Sequence, residues 1–119
     1  QGDNERGFVF LVSPYNGYKL RLESWSADVS IVDGKTGSET GVEYHVAVTH
    51  RADGTVTLYL NGDIDGIGSA GLPVDNNQPL DIGRYYWSGG YSRYFRGAIK
   101  DCRLYDYALT QEEVSGLIK

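Results

Sequence analysis

The chain has 119 residues, enough for one folding unit with a modest core and not for two. It is 40% hydrophobic, 23% charged and 13% aromatic with 16 Gly, which excludes a disordered or collagen-like chain, and no apolar run is long enough for a membrane helix. The formal charge of -5, with no cluster of Lys or Arg, argues against nucleic acid as a partner.

Residues 1–6 are polar and carry no basic-then-apolar signal pattern. Residues 7–12, 18–23, 29–33 and 42–49 are short runs rich in aromatic and β-branched side chains, parted by Gly, Asn, Ser and Asp, and they predict strands. Asn16-Gly17 predicts a tight turn between the first two. Residues 44–49, Asp53-Gly54 and residues 55–60 predict a hairpin, followed at once by a second turn signal at Asn61-Gly62. Residues 63–78 read as a short strand and a loop, and residues 79–83 as another strand. Residues 95–105 are expected to form the last strand, with a β-bulge near Lys100 and Asp101 where Ile99 falls out of step with Cys102 and Leu104.

The helix signal is terminal. Thr110-Gln111-Glu112-Glu113 is a capping box, Leu109 and Val114 are spaced for a hydrophobic staple, and Gly116 limits the helix to about two turns. Many short strands at close spacing predict an all-β sandwich or barrel. A single cysteine, Cys102, excludes an internal disulfide and a thiolate zinc cluster, and its apolar surroundings predict a buried, inert thiol.

From Val42 onward the chain resembles the second half of a laminin-G-like, or concanavalin A-like, jelly-roll domain. The resemblance is carried by Tyr44-His45-Val46-Ala47-Val48-Thr49, Asp53-Gly54, Leu58-Tyr59-Leu60-Asn61-Gly62, Ile82-Gly83, residues 95–105 (Phe-Arg-Gly-Ala-Ile-Lys-Asp-Cys-Arg-Leu-Tyr), and Ala108-Leu109-Thr110-Gln111-Glu112-Glu113-Val114. It implies an antiparallel jelly-roll β-sandwich with a short C-terminal helix, spanning residues 1–119 as one domain. Relatives commonly have Trp at the place of Tyr44, and Asp-Glu at the place of Lys100-Asp101. The second change puts a cation where a rim calcium site would want an acid. Members of the family also bring two or three further strands before the segment that resembles residues 7–12. The resemblance therefore implies either a compact variant or a domain lacking its first strands. In the latter case Ile99, Asp101, Cys102 and Leu104 lie on an open edge that a separate N-terminal peptide or chain would complete.

Catalysis finds little support in the residues. A glycoside hydrolase needs two carboxylates across the sugar bond, and the Glu-x-Asp-x-x-Glu strand motif of one such family is absent. His45 and His50 lie near or in one strand with no Gly-x-Ser-x-Gly elbow, and the Gly-x-Gly of Gly66 to Gly68 lacks a strand-to-helix context. Residues 61–66 have the spaced oxygens of a calcium loop but lack its terminating Glu, so Asp63 and Asp65 are the acids a calcium ion would use and no cofactor is expected.

Residues 84–95 hold four Tyr, one Trp and two Arg around Gly89-Gly90. Aromatic rings stack on the apolar faces of sugars and anchor protein interfaces, so Tyr85, Tyr86, Trp87, Tyr91 and Arg93 are the candidate ligand-binding residues. Trp25 belongs either to that patch or to the core. The expectation is a non-catalytic, extracellular or particle-surface module that recognises a glycan or glycoconjugate. The alternative is a protein-binding half of a split jelly roll.

Overall fold

The computed structural model describes residues 7–25, 28–73, 82–83, 85–87, 90–92 and 95–118. Strands β1 (Gly7–Ser13), β2 (Lys19–Trp25) and β3 (Val29–Asp33) form an antiparallel sheet in the order β1-β2-β3. Alternation decides which way it faces: Leu20 and Leu22 of β2 and Val32 of β3 are buried, so Arg21 and Glu23 point to the opposite face. Strands β4 (Val46–His50), β5 (Thr55–Leu60) and β6 (Asp63–Ser69) form a second antiparallel sheet in the order β4-β5-β6.

The two sheets pack face to face. Leu20, Leu22 and Val32 meet Val56, Leu58 and Ala70, with Phe10, Val12, Val48 and Leu60 at the margin. The sheets come closest where β3 lies over β6. A Cβ on Gly66 would stand 2.6 Å from the Asp33 carbonyl oxygen, and one on Gly68 would stand 2.9 Å from a Val32 methyl. Gly66 and Gly68 are therefore packing glycines, which accounts for the Gly-x-Gly in the sequence.

β5 and β6 are joined by Asn61 (φ 52) and Gly62 (φ 86), the two positive-φ residues of a type I′ hairpin. This turn also explains why β4 begins at Val46 and not at Val42. Val46 pairs with Leu60, the end of β5; beyond it there is no ladder, and His45 instead bonds Asn61 through N–H to Oδ1 (2.8 Å) and carbonyl to N–H (2.7 Å). A register shift at Leu58 and Tyr59 places the bulge-type irregularity in the β5–β6 ladder.

Helix α1 (Gln111–Gly116) carries the expected capping box: Thr110 Oγ1 accepts from the Glu113 N–H, and Glu113 Oε1 accepts from the Thr110 N–H. Leu109 and Val114 pack on Tyr59 from the outer side of the second sheet, beside Ala47 and Leu117. Ser115 Oγ donates to the Gly62 carbonyl and fixes the helix over the β5–β6 turn.

Four expectations need correction or fall away. Residues 95–105 form no strand: they are exposed and irregular, with Asp101 at φ 58, and no ladder partner runs beside them among the described residues. Backbone N–H and C=O groups without a neighbouring strand gain nothing from extension, so apolar spacing alone does not make a strand. With no strand there is no bulge at Lys100 and Asp101, and Cys102 is exposed, not buried. The strand expected over residues 79–83 falls largely outside the described residues, and Ile82 and Gly83 lie in a bend.

Candidate functional site

The aromatic segment folds as a ribbon of its own. β7 (Tyr85–Trp87) pairs antiparallel with β8 (Gly90–Ser92), setting Tyr85 opposite Ser92, Tyr86 opposite Tyr91 and Trp87 opposite Gly90. Its base is closed by the Phe95 N–H, which donates to the Gly83 carbonyl at 2.7 Å. Among the described residues of this stretch, Tyr85, Tyr86, Trp87 and Tyr91 thus share one ladder. Arg93 lies outside the described residues.

The residues expected on an open strand edge lie on the exposed segment that follows. Ile99, Asp101, Cys102 and Leu104 are all solvent-facing. Arg103 donates from Nε and Nη2 to the Asp101 carboxylate (3.0 and 3.2 Å), and Lys100 pairs with Glu43 at 2.9 Å. Each partner raises the cation above its ordinary pKa, first through the hydrogen bond and then through the charge.

Asp63 and Asp65 are separated in role by β6. Asp63 is exposed at the start of the strand, whereas buried Asp65 accepts from the backbone N–H groups of Lys35 (3.1 Å) and Thr36 (3.5 Å), holding the chain after β3. Among the described residues no three His, Cys, Asp or Glu side chains converge as a metal cluster. His50 Nε2 lies 2.9 Å from the Ala70 carbonyl and serves the β4–β6 region as a structural contact.

The structure adds a group of residues that the sequence reading passed over. On the outward face of the first sheet, Arg21 donates from Nε (2.7 Å) and Nη2 (3.2 Å) to the two oxygens of Asp33, while Asn16 Nδ2 donates to Asp33 Oδ1 at 2.9 Å. Arg21 Nη1 lies 3.7 Å from Glu23 Oε2, an ion-pair distance longer than a hydrogen bond. The Arg21 bond, helped by Asn16, holds the Asp33 carboxyl below the usual range, and Asp33 in turn raises Arg21. Trp25, at the end of the same face, is half-buried, and its indole N–H is enclosed with no hydrogen-bond partner among the described residues. The signal was present in Lys19-Leu20-Arg21-Leu22-Glu23: strict alternation puts every charge of β2 on the face away from the core.

Among solved structures, an S-layer domain-containing protein from Clostridium thermocellum ATCC 27405 (residues 221-444) is similar, at 28% identity and a TM-score of 0.61. The match covers 84% of this chain and 51% of that one, so the chain spans about half the length of that structure. Comparison with curated proteins gives no match. The family model of the concanavalin A-like lectin/glucanases superfamily matches residues 1–115. With the match extending over both sheets, the ribbon and most of the C-terminal helix, the chain belongs to the concanavalin A-like lectin/glucanases superfamily.

Proposed function

We propose that the chain is a non-catalytic carbohydrate-binding module of a cell-surface or extracellular protein, and that the β7–β8 ribbon is where it meets the sugar. The observation that carries this reading is the register: Tyr85, Tyr86, Trp87 and Tyr91 are gathered within one two-stranded hairpin closed at its base. Aromatic side chains supply large, stiff contact area for the apolar faces of sugar rings. Arg93, next along the chain, adds a hydrogen-bond fork. Superfamily membership and the S-layer neighbour support a surface role, though a shared fold does not by itself fix function.

The non-catalytic part rests on chemistry. A glycosidase needs one carboxyl raised in pKa to act as an acid opposite a second carboxylate. On the outward face of the first sheet, Asp33 is bound to Arg21 and held in the opposite direction. The test is affinity electrophoresis through gels containing neutral glucan, mannan, galactan or xylan, comparing the native chain with Trp87→Ala. Retardation lost in the variant at an unchanged thermal midpoint supports the reading; equal retardation of both overturns the role of the ribbon.

A second reading is favoured by the exposed segment 95–105. Ile99, Cys102 and Leu104 face solvent there without a ladder, and the neighbouring structure is about twice as long. In this reading the segment binds a polypeptide that supplies further strands, giving the chain a protein partner. Amide hydrogen exchange decides it: rapid exchange over 95–105 in the chain alone supports an open partner site, and strong protection in a monomer removes it.

A further inference from the structure

Among the described residues β1 pairs with β2 on one side only, so its other side presents a row of backbone N–H and C=O groups without a neighbouring strand. Edges of this kind are ordinarily blunted by a charge, a proline, a bulge or shortness. β1 has none of these over its seven residues, Gly-Phe-Val-Phe-Leu-Val-Ser. The other described edges of the two sheets are blunted. β3 is shorter and ends in Asp33, β4 is shorter and ends in His50, and β6 carries Asp63 and Asp65 with a register shift against β5.

Both faces of β1 are apolar. Phe8, Phe10 and Val12 lie on the core face, opposite Ser24, Leu22 and Leu20 of β2, and Val9 and Leu11 lie on the outward face. The strand stands at the margin of the core, since Phe10 and Val12 are only partly buried and Phe8 is 43% exposed. Another strand laid against this edge would take its hydrogen bonds and cover these side chains together.

The register points to the occupant. An antiparallel copy of β1, related by a two-fold axis through Phe10, overlaps along the whole strand. Gly7 then stands opposite Ser13, Phe8 opposite Val12, Val9 opposite Leu11, and Phe10 opposite itself. With the axis perpendicular to the sheet, core face continues core face, and the aromatic and branched side chains meet as cross-strand pairs. Pro14 ends the overlap, because it has no N–H to give. The charges of β2 agree with this register. Within one copy Val9 faces Glu23 and Leu11 faces Arg21, so each outward row of the pair reads Glu23, Val9, then Leu11 and Arg21 of the second copy. Opposite charges thus share a row, three strand spacings or about 14 Å apart. An axis through Val9 would put two Glu23 in one row, and an axis through Leu11 two Arg21. Full overlap avoids both.

We infer that β1 is a self-association edge, joining two copies of this chain so that their three-stranded sheets become one continuous sheet. The inference stands apart from the sugar reading and from the partner-polypeptide reading, because neither uses β1. A two-fold contact consumes the same edge on both copies, so association stops at two. Sedimentation equilibrium of the native chain tests it: the mass should rise with concentration from 13.2 kDa to twice that value and level there. A mass that stays at one chain at every concentration overturns the inference, and one that climbs past two chains overturns the closed pair. Val9→Lys and Leu11→Glu each set a charge against an apolar residue of the second copy and should raise the dissociation constant by about tenfold or more. Within one copy both charges are accommodated, since they face Glu23 and Arg21. Combined, the two substitutions stand opposite each other across the axis and should recover most of the loss, which a mere reduction in apolar area would not do. Undiminished association of either single variant, or a double variant that regains nothing, overturns the register. Circular dichroism reports whether each variant folds. If a single variant does not fold, amide hydrogen exchange of the native chain decides: protection of β1 that rises with concentration supports the edge, and protection independent of concentration removes it.

Discussion

Gly66→Ala tests the arrangement of the two sheets. The added methyl would sit 2.6 Å from the Asp33 carbonyl oxygen, 3.1 Å from the Gly34 Cα and 3.3 Å from the Asp33 carbonyl carbon, all of them backbone. A flexible side chain could swing away, but β3 must move as a unit, and moving it withdraws Val32 from Leu20, Leu22, Val56 and Leu58. Overpacking a well-filled site costs about 1–3 kcal/mol, and the backbone obstruction puts this variant at the upper end. For a chain of this size that is a fall in melting temperature on the order of 10 °C. Gly116→Ala, in the last turn of α1 with nothing within 4 Å of the new methyl, is the matched control and should gain about 0.5 kcal/mol from helix propensity. Urea melts of the two variants beside the native chain give both numbers. A Gly66→Ala midpoint within error of native would mean that β3 and β6 do not approach as described, and the sandwich would have to be rebuilt around that edge.

Other consequences can be measured on the same material. Asp33 has its folded pKa lowered by Arg21, so its contribution is complete above the unfolded carboxylate pKa and is lost as pH falls through the folded value. With its side chain 39% exposed, solvent screening keeps that contribution to about 0.5 kcal/mol, and Asp33→Asn should lower the midpoint slightly at pH 7 and not at all at pH 2. An effect that grew on acidification would contradict the pairing. Thr110→Ala removes the acceptor of the Glu113 N–H and should cost about 1 kcal/mol, read as a lower urea midpoint at an unchanged slope. Cys102 should react completely with an aromatic disulfide reagent without denaturant, since it is exposed; a thiol that reacts only after unfolding would show that residues 95–105 are covered.

Most of the sandwich was legible because its signals are local. β3 and β5 have the bounds that their turn residues and alternation predict, and β1 and β2 shift by only one or two residues. The helix was legible for the same reason: a capping box is satisfied within four residues whatever the rest of the chain does. Residues 95–105 failed because a strand is a property of a pair. Their spacing of Phe95, Ile99, Cys102 and Leu104 matches a strand in the related family, yet no described strand runs alongside to take their hydrogen bonds. The misplaced burial of Cys102 followed directly from that, since a residue is covered by its neighbours and not by its own hydropathy.

The ribbon and the outward stripe of β2 differ in the same way. The ribbon could be found by counting, because crowding of tyrosine and tryptophan is visible in a sequence, and the structure's addition was the register that pairs Tyr86 with Tyr91. The outward stripe of β2 could not be found by counting, because Lys-Leu-Arg-Leu-Glu describes any half-buried strand. Its distinguishing feature is that Glu23 is 9% exposed while Ile31, directly across the ladder, is 48% exposed. β2 is the central strand, so Glu23 is flanked by Val9 and by Ile31, whereas Ile31 stands on an edge. Strand order, which lies beyond any local pattern, therefore decides which side chains of an ordinary alternating sequence are covered and which stand in solvent.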